Sequence, residues 1–230
     1  MYKKKKILVV VPARGGSKGI KNKNLKKIKG RSLIKILSQV LKKIKIIDDV
    51  LISTDSDKIF GEAKKNKIVN RIFRSKKLAG DRVDDMPVLK EALFSFEKKT
   101  KKKFDYIVMT QLTSPLRKSR DVEDAIKKTI NKKFDALWTI SKIDLKYHPY
   151  KQLMLKQNKL KYISNKANKI IARQQLFDTF YRNGVAYIFS RKCVITKTKM
   201  PENCGYFQIS SKQVSIDNLE DLNLAAKYIG

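Results

Sequence analysis

The sequence predicts an α/β fold in which a mostly parallel, twisted sheet is covered by helices on both faces. Short continuous apolar runs, the pattern of buried strands, alternate along the chain with stretches whose apolar residues recur at helical spacing. Such alternation is typical of parallel strands joined by crossover helices. The length of 230 residues fits one domain, so we expect residues 1–230 to form a single Rossmann-like unit.

The predicted strands are rich in β-branched and other apolar residues. They cover residues 7–11, 50–53, 68–73, 106–110, 136–140, 185–189, 206–209 and 214–216. Ligands bind such sheets outside the carboxyl ends of the strands. We therefore expect the polar loops 12–24, 54–57 and 110–117, each of which follows a strand, to lie close together.

The predicted helices have apolar residues three and four positions apart. Their periodic segments lie at residues 33–44, 58–65, 86–96, 122–130 and 222–229. Ser32 and Ser119 stand where the side chain of an N-cap residue is expected, and Ser56 lies in a similar capping stretch. These capping residues fix where three of the helices should begin.

Residues 141–181 interrupt this regular pattern. Two short alternating pieces, 152–155 and 159–163, predict a hairpin-like excursion from the sheet. A long irregular stretch inside a compact domain is usually functional. A surface insertion without a function is the alternative.

The chain is strongly basic, with a formal charge of +33 at pH 7. Such a charge is common in nucleic-acid-binding proteins. Here the excess is lysine scattered through helices and loops, without the interleaved aromatic side chains that stack on bases. A nucleic-acid-binding module stays as a rival class, but we expect no specific nucleic-acid partner. A basic field also concentrates small anionic substrates.

No apolar run approaches the roughly 18 residues of a membrane span, and residues 1–6 precede too short an apolar segment for a secretory signal. The two cysteines, Cys193 and Cys204, are too few for a disulfide framework. We expect a cytoplasmic protein with reduced thiols and no membrane partner.

Residues 9–24 are the most informative stretch of the sequence. The first strand stops at Pro12 and opens into a loop that contains three glycines together with Arg14, Lys18 and Lys23. Glycine lets backbone N–H groups approach an anion closely, and the cationic side chains supply charge. The loop predicts a polyphosphate site, although it matches neither G-x-x-x-x-G-K-[ST] nor G-x-G-x-x-G. A basic surface turn is the alternative.

This loop, PARGGSKGIKNKN, resembles the N-terminal signature of the acylneuraminate cytidylyltransferases, the CMP-sialic acid synthetases. Other motifs of that family follow in order and span nearly the whole chain: LISTD at 51–55, Arg74 with LAGD at 78–81, QLTSPLR at 111–117, RQQ at 173–175 with NGVAY at 183–187, and SIDNLEDL at 215–222. The resemblance implies a nucleotidyltransferase that joins CMP from CTP to a sialic-acid-like sugar for cell-surface glycans.

The nucleotide site follows partly from the residues and partly from the resemblance. Arg14 stands where a strand meets the phosphate loop, and a permanently charged guanidinium there suits phosphate oxygens and the charge that develops at the α-phosphorus. Ser17, Lys23 and Asn24 are similar to nucleotide-contacting positions of the family, and Arg74 to an arginine near the cytidine and phosphates. We predict catalytic roles for Arg14 and Lys23, with a structural salt bridge as the alternative for Arg14.

The sugar site is predicted at a strand end and in the excursion. Gln111, Thr113 and Ser114 offer neutral donors and acceptors suited to sugar hydroxyls and a carboxylate. The resemblance adds Arg173 and Tyr187 as contacts to the sugar acid. It also implies a homodimer in which the excursion reaches over the second subunit and Arg173 acts across the interface.

Asp217 is the candidate ligand for Mg²⁺ and a candidate catalytic residue. A hard cation held by carboxylate and phosphate oxygens neutralises charge during nucleotidyl transfer. The family usually has two aspartates separated by one residue, whereas this chain has Ser215 at the first position. That difference puts the strength of metal binding in question. A helix cap is the alternative role for Asp217.

The predicted function is transfer of CMP from CTP to a 2-keto sugar acid of the N-acetylneuraminate, legionaminate or pseudaminate type, with release of pyrophosphate. A 3-deoxy-manno-octulosonate cytidylyltransferase is the close alternative. A non-catalytic relative that binds sugar nucleotides is another, which Ser215 keeps open. Hydrolase chemistry is disfavoured because His148 is the single histidine and no G-x-S-x-G elbow is present.

Overall fold

The computed structural model describes residues 1–17 and 19–229. Its strands are β1 Ile7–Pro12, β2 Lys27–Ile28, β3 Arg31–Ser32, β4 Asp49–Thr54, β5 Asn70–Phe73, β6 Tyr106–Met109, β7 Ala136–Lys142, β8 Leu153–Lys156, β9 Lys159–Tyr162, β10 Phe180–Ser190 and β11 Cys204–Gln208. Its α-helices are α1 Leu33–Leu41, α2 Asp57–Lys65, α3 Asp85–Thr100, α4 Ser119–Asn131, α5 Arg191–Thr196 and α6 Leu219–Tyr228. Short 3₁₀ turns cover Lys23–Leu25, Lys76–Leu78, Leu145–Tyr147, Pro149–Lys151, Asn165–Lys169 and Arg173–Gln175.

One large sheet organises the described residues, with seven strands in the order β11-β7-β10-β6-β1-β4-β5. The neighbouring strands are parallel except at β10, which runs antiparallel to both β6 and β7. The predicted mostly parallel sheet is therefore confirmed. The antiparallel strand brings a chain segment back to the edge where the parallel strands end.

The core consists of two layers, one on each face of this sheet. Alternate residues of β1 point to opposite faces, so Val9 packs with α1, α2, α4 and α6 while Val10 packs with α3 and α5. Both side chains are fully buried. Such burial on both faces explains why the strand reads as a continuous apolar run, and it confirms the prediction of helices on both sides of the sheet.

Two of the three predicted helix caps are present. The hydroxyl of Ser32 accepts the backbone N–H of Lys35 at 3.1 Å, and the hydroxyl of Ser56 accepts a first-turn N–H of α2 in the same way. The prediction for Ser119 is wrong by one residue: Ser119 is the first residue of α4 and Lys118 occupies the cap position without a side-chain bond.

The predicted strand at 214–216 is also wrong. Val214 and Ile216 are buried, but this segment joins no sheet. Instead the N–H of Ile216 donates to the backbone oxygen of Thr113 at 2.9 Å. The apolar residues there fill the core from a loop, and the bond fixes that loop beside the residues that follow β6.

The excursion at residues 141–181 contains the predicted hairpin as β8 and β9, which pair antiparallel. Every residue of these two strands is exposed. Large apolar side chains such as Leu155, Leu160 and Ile171 are therefore left open to solvent on this excursion.

Among the described helices, none combines the length and the apolar character that crossing a bilayer requires.

Candidate active site

A cleft of about 590 Å³ lies at the carboxyl-end edge of the sheet, within the range of about 300–1,000 Å³ that is typical of ligand sites. It is formed where the loops after β1, β5 and β6 meet the segment before α6. Of the predicted site residues, those that line it are Arg14, Ser17, Lys23, Asn24, Arg74, Gln111, Thr113 and Asp217. Residues that are as far apart in sequence as Arg14 and Asp217 therefore share one cavity.

The loop after β1 is held in place by hydrogen bonds from both sides. The N–H of Gly15 donates to Oδ1 of Asp55 at 2.7 Å, and Nδ2 of Asn24 donates to the backbone oxygen of Arg14 at 2.9 Å. A Cβ atom on Gly19 would lie 2.6 Å from the backbone oxygen of Asp217, so this close approach requires glycine. Lys18, named above as a source of charge, lies outside the described residues.

Two ion pairs cross the cleft. The guanidinium of Arg14 pairs with the carboxylate of Asp81, and Nζ of Lys23 lies 3.0 Å from Oδ1 of Asp217. The side chain of Asp217 is 74% exposed whereas that of Lys23 is 19% exposed. Both candidate catalytic cations therefore rest against a carboxylate, and each pair would have to open or shift for the cation to bind phosphate directly.

Arg74 is the most buried cation of the cleft, with 5% of the residue exposed. Its Nη2 donates to the backbone oxygen of Ser53 at 3.0 Å and its Nε to the hydroxyl of Ser53 at 3.3 Å. Burial lowers the pKa of Arg74, while the nearby carboxylate of Asp55 acts in the opposite direction. The structure thus holds the guanidinium rigidly at the wall of the cleft.

The predicted sugar residues divide into two groups. Gln111 and Thr113 line the cleft, whereas Ser114 and Tyr187 are buried behind it and are not among the described residues that line it. The hydroxyl of Ser114 donates to the backbone oxygen of Asn183 at 3.2 Å, and the hydroxyl of Tyr187 accepts the N–H of Gly184 at 3.0 Å. Both side chains therefore hold the irregular part of β10 around Gly184, and neither faces the cleft in this structure.

Gly184 itself has a positive φ of 73°. A Cβ atom at this position would lie 2.5 Å from Oγ of Ser114 and 2.9 Å from Oε1 of Gln111. The turn in β10 therefore packs directly against the polar loop that follows β6, and it requires glycine for both conformation and space.

Arg117 ends the QLTSPLR motif at residues 111–117 but was not predicted as a site residue. It is buried, and its guanidinium donates to three backbone oxygens: those of Val185 at 2.6 Å, Gln111 at 2.7 Å and Gly184 at 3.0 Å. Burial lowers its pKa to about 9. Arg117 therefore joins the loop after β6 to the turn in β10. Its only sequence signal is its place in QLTSPLR.

Asp85, the first residue of α3, lines the cleft but was not predicted from the sequence. Burial raises the pKa of its carboxyl. A polar residue at the start of a helix is usually interpreted as a cap, so Asp85 did not stand out in the sequence. The structure shows that Asp84, not Asp85, caps α3.

Arg173 lies in an exposed 3₁₀ turn of the excursion and is not among the described residues that line the cleft. Its predicted contact with the sugar acid across a dimer stays a prediction.

A magnesium ion in this cleft would have to share its ligands with a substrate. Among the described residues, no three histidine, cysteine, aspartate or glutamate side chains form a group that could hold a metal. Asp217 instead offers a single exposed carboxylate, and its backbone is held because the N–H groups of Asp217 and Asn218 donate to Oδ2 of Asp221. Mg²⁺ is commonly held by one or two carboxylates together with substrate phosphates and water. The single carboxylate fits that arrangement.

A sequence model of the cytidylyltransferase family matches residues 8–225. Post-translational flagellin modification protein B of Campylobacter coli is 31% identical over 202 residues, covering 87% of this chain and 85% of the relative. CMP-N,N'-diacetyllegionaminic acid synthase of Campylobacter jejuni subsp. jejuni serotype O:2 is 30% identical over 220 residues, covering 95% and 92%.

A solved structure of CMP:2-keto-3-deoxy-manno-octonic acid synthetase in complex with CTP is similar in fold. Its TM-score is 0.72 at 16% sequence identity, and the match covers 96% of this chain and 97% of that chain. At this identity the likeness shows the shared fold alone.

Proposed function

This chain belongs to the cytidylyltransferase family, and we propose that it transfers CMP from CTP to a nonulosonic acid, a sialic-acid-like 2-keto sugar acid, with release of pyrophosphate. The nucleotidyltransferase class follows from the family. The sugar class is supported by the relative that makes a CMP-legionaminic acid, which aligns with 95% of this chain. The octulosonic acid alternative is less favoured, because the likeness to that synthetase is one of fold alone.

The single observation that carries the proposal is the shared cleft of Arg14, Lys23, Arg74 and Asp217. A triphosphate is a polyanion, and these side chains place cationic and metal-binding groups around one cavity. The cavity also contains Gln111, a neutral donor and acceptor suited to a sugar hydroxyl. The site thus has separate groups for the two substrates.

In the proposed reaction the anomeric hydroxyl of the sugar attacks the α-phosphorus of CTP. The O–P bond to the sugar forms as the bond to the β-phosphate oxygen breaks. The guanidinium of Arg14 would hold phosphate oxygens with paired hydrogen bonds and stabilise the negative charge that develops there. Lys23 would neutralise the leaving pyrophosphate as a point charge. Gln111 would orient the sugar.

We propose Asp217 as the protein ligand of Mg²⁺. When bound, that ion would supply electrostatic neutralisation of the triphosphate and of the developing transition-state charge. Because Lys23 lies 3.0 Å from Asp217 before substrate binds, a triphosphate would draw the ammonium away and leave the carboxylate available.

The test measures magnesium-dependent pyrophosphate release with CTP and a panel of neuraminic, legionaminic, pseudaminic and octulosonic acids. We expect activity with at least one nine-carbon acid, and about a 100-fold or greater loss in Arg14→Ala. Arg120→Ala removes an exposed arginine and serves as the control. Near-normal release by Arg14→Ala would contradict the assignment. Absence of release with every acid would favour a non-catalytic binding role.

We also propose that the protein acts as a homodimer through the excursion, in the cytoplasm where CTP is available. The supporting observation is the exposed apolar surface of that excursion, where Leu155 is 78% exposed and Leu160 is 67% exposed. Sedimentation should show a dimer that Leu155→Asp with Leu160→Asp converts to a monomer. Met200→Asp, at another exposed apolar residue, should remain dimeric. A monomeric wild-type protein would refute the dimer.

A further inference from the structure

Three carboxylates are found among the described residues that line the cleft: Asp81, Asp85 and Asp217. Asp81 is paired with Arg14 and Asp217 with Lys23. In the described part of the chain, no lysine or arginine lies within ion-pair distance of Asp85. Among the described residues, Asp85 is therefore the cleft carboxylate that forms no ion pair with a cation.

Asp85 is also held on a rigid support. It begins α3, which runs for 16 residues and buries Met86, Leu89 and Phe96 in the core. Its neighbour Asp84 caps the helix, because Oδ1 of Asp84 accepts the N–H of Met86 at 2.9 Å. Asp85 is thus free of the capping role, and its carboxylate is placed by a well-packed helix at the wall of the cleft.

The charged and titratable groups that act on Asp85 come from several elements around it. They are Arg74 after β5, Arg182 and Tyr187 in β10, Lys199 after α5, and Asp84 beside it in sequence. Burial raises the pKa of Asp85, and Lys199 is the foremost of the cations that oppose this rise. A carboxylate with a raised pKa is a better proton acceptor than an exposed one, yet the surrounding cations favour its ionised form.

We infer that Asp85 is the general base that removes the proton from the sugar hydroxyl that attacks CTP. This inference rests on the proposed function and names a residue for its proton transfer. The proton moves to a carboxylate oxygen of Asp85 as the hydroxyl oxygen bonds to the α-phosphorus and pyrophosphate leaves. The protonated carboxyl then returns its proton to solvent when the product departs.

Other candidate bases are placed less well for this step. His148 is fully buried in the excursion, where its ring packs against Tyr150 and Phe177 with centroids 4.9 Å away. The hydroxyl of Tyr187 is occupied by the N–H of Gly184, and burial raises its pKa. Neither group lines the cleft in the described residues.

The experiment compares Asp85→Asn with Asp84→Asn. Both changes replace one carboxylate with an amide at adjacent positions, and the amide oxygen at residue 84 can still accept the helix N–H. Asp84→Asn also removes the charge that pairs with Lys199 at 2.9 Å, so it shows in addition whether that pair matters for the reaction. We expect Asp85→Asn to lower kcat about 100-fold or more, as loss of a general base does, with the KM for CTP changed by less than about threefold. Asp84→Asn should retain kcat within about threefold.

The pH profile of kcat separates a base from a merely structural residue. The wild-type enzyme should lose activity on the acidic side as Asp85 becomes protonated, and Asp85→Asn should lack that limb. Asp85→Glu, which keeps a carboxylate, should recover more activity than the asparagine variant. Calorimetric CTP binding and the thermal midpoint establish that each variant is folded.

An Asp85→Asn protein that keeps more than a tenth of wild-type kcat, or keeps the acidic limb, would overturn the inference. If Asp85→Asn does not fold, Asp85→Glu provides the test. Its kcat should be lower than that of the wild type, and its kcat should still fall at acidic pH. The inference would also be overturned if Asp85→Glu folds, has the kcat of the wild type and shows no loss of kcat at acidic pH. If the wild-type protein releases no pyrophosphate with any sugar acid, the proposed function itself fails and this inference fails with it.

Discussion

Replacement of Arg117 by methionine should destabilise the protein, although Arg117 makes no ion pair in the described residues. Its guanidinium donates three hydrogen bonds to backbone oxygens, at 2.6, 2.7 and 3.0 Å, of which the one to Gln111 is partly buried and the other two are buried. Methionine has similar reach and apolar volume but donates no hydrogen bond. The change therefore isolates the guanidinium from the packing of the side chain.

Two opposing effects determine how much Arg117→Met lowers the free energy of unfolding. A hydrogen bond to a charged group contributes about 1.5–3 kcal/mol, so three such bonds contribute roughly 4.5–9 kcal/mol. Burial of the cation costs several kcal/mol, which methionine removes. We expect a net loss of about 3 kcal/mol in the free energy of unfolding. For a chain of this size that corresponds to a fall of about 6–12 °C in the thermal midpoint.

Thermal unfolding followed by circular dichroism at neutral pH measures this change. Arg120→Met is the matched control, because Arg120 carries the same charge on the exposed face of α4, 91% exposed, with Asp124 at 3.6 Å. Its loss should alter the free energy of unfolding by less than about 0.5 kcal/mol. If Arg117→Met unfolds within about 2 °C of Arg120→Met, the argument from the three carbonyl bonds is wrong.

Three further predictions concern the same fold. Gly184→Ala should lower the thermal midpoint and raise the KM for the sugar acid, because the added Cβ would lie 2.5 Å from Oγ of Ser114 at a positive φ; an unchanged midpoint would contradict this. Ser32→Ala should cost about 1 kcal/mol in chemical denaturation through loss of a helix cap. The pKa of Asp84 is lowered by a hydrogen bond from the N–H of Met86, so its contribution to stability is present above the pKa of the unfolded chain and is lost as pH falls through the folded pKa. The stability difference between wild type and Asp84→Asn should therefore narrow in acid titrations.

The regular elements were largely predictable because their signals are local. Residues 7–11 are apolar without interruption since both faces of β1 are buried, and Ser32 caps α1 from an adjacent position in the chain. An apolar pattern wrongly predicts a strand where the buried residues belong to a loop. Ile216 is fully buried, yet its N–H bonds to the loop after β6, so the apolar pattern at 214–216 did not indicate a strand.

The sequence predicted that most of the candidate residues would lie together, but it did not predict which of them pair. Strand ends identified the loops after β1 and β6 that meet at the cleft, but the loop after β5 was not among the predicted loops, and residues 54–57 are not among the described residues that line the cleft. The ion pair of Lys23 with Asp217 joins residues 194 positions apart, a partnership that no local pattern encodes. Ser114 was predicted to face the sugar because it follows β6, but the antiparallel β10 covers it and turns its hydroxyl toward Asn183. Contact with β10 therefore explains why Ser114 is buried while Gln111 and Thr113 of the same loop line the cleft.

The charge of the cleft differs from that of the whole chain. The chain has a formal charge of +33, but its cleft, among described residues, is lined by three cations and three carboxylates. The overall basic field can attract polyanions from solution. Within the cleft, however, Arg14 and Lys23 would have to leave their carboxylate partners before they could bind a phosphate directly. A second carboxylate at position 215 would give this lining a net negative charge. Ser215 therefore removes a repulsion that both a triphosphate and a sugar carboxylate would meet, and under the proposed function Asp217 alone would hold the divalent ion.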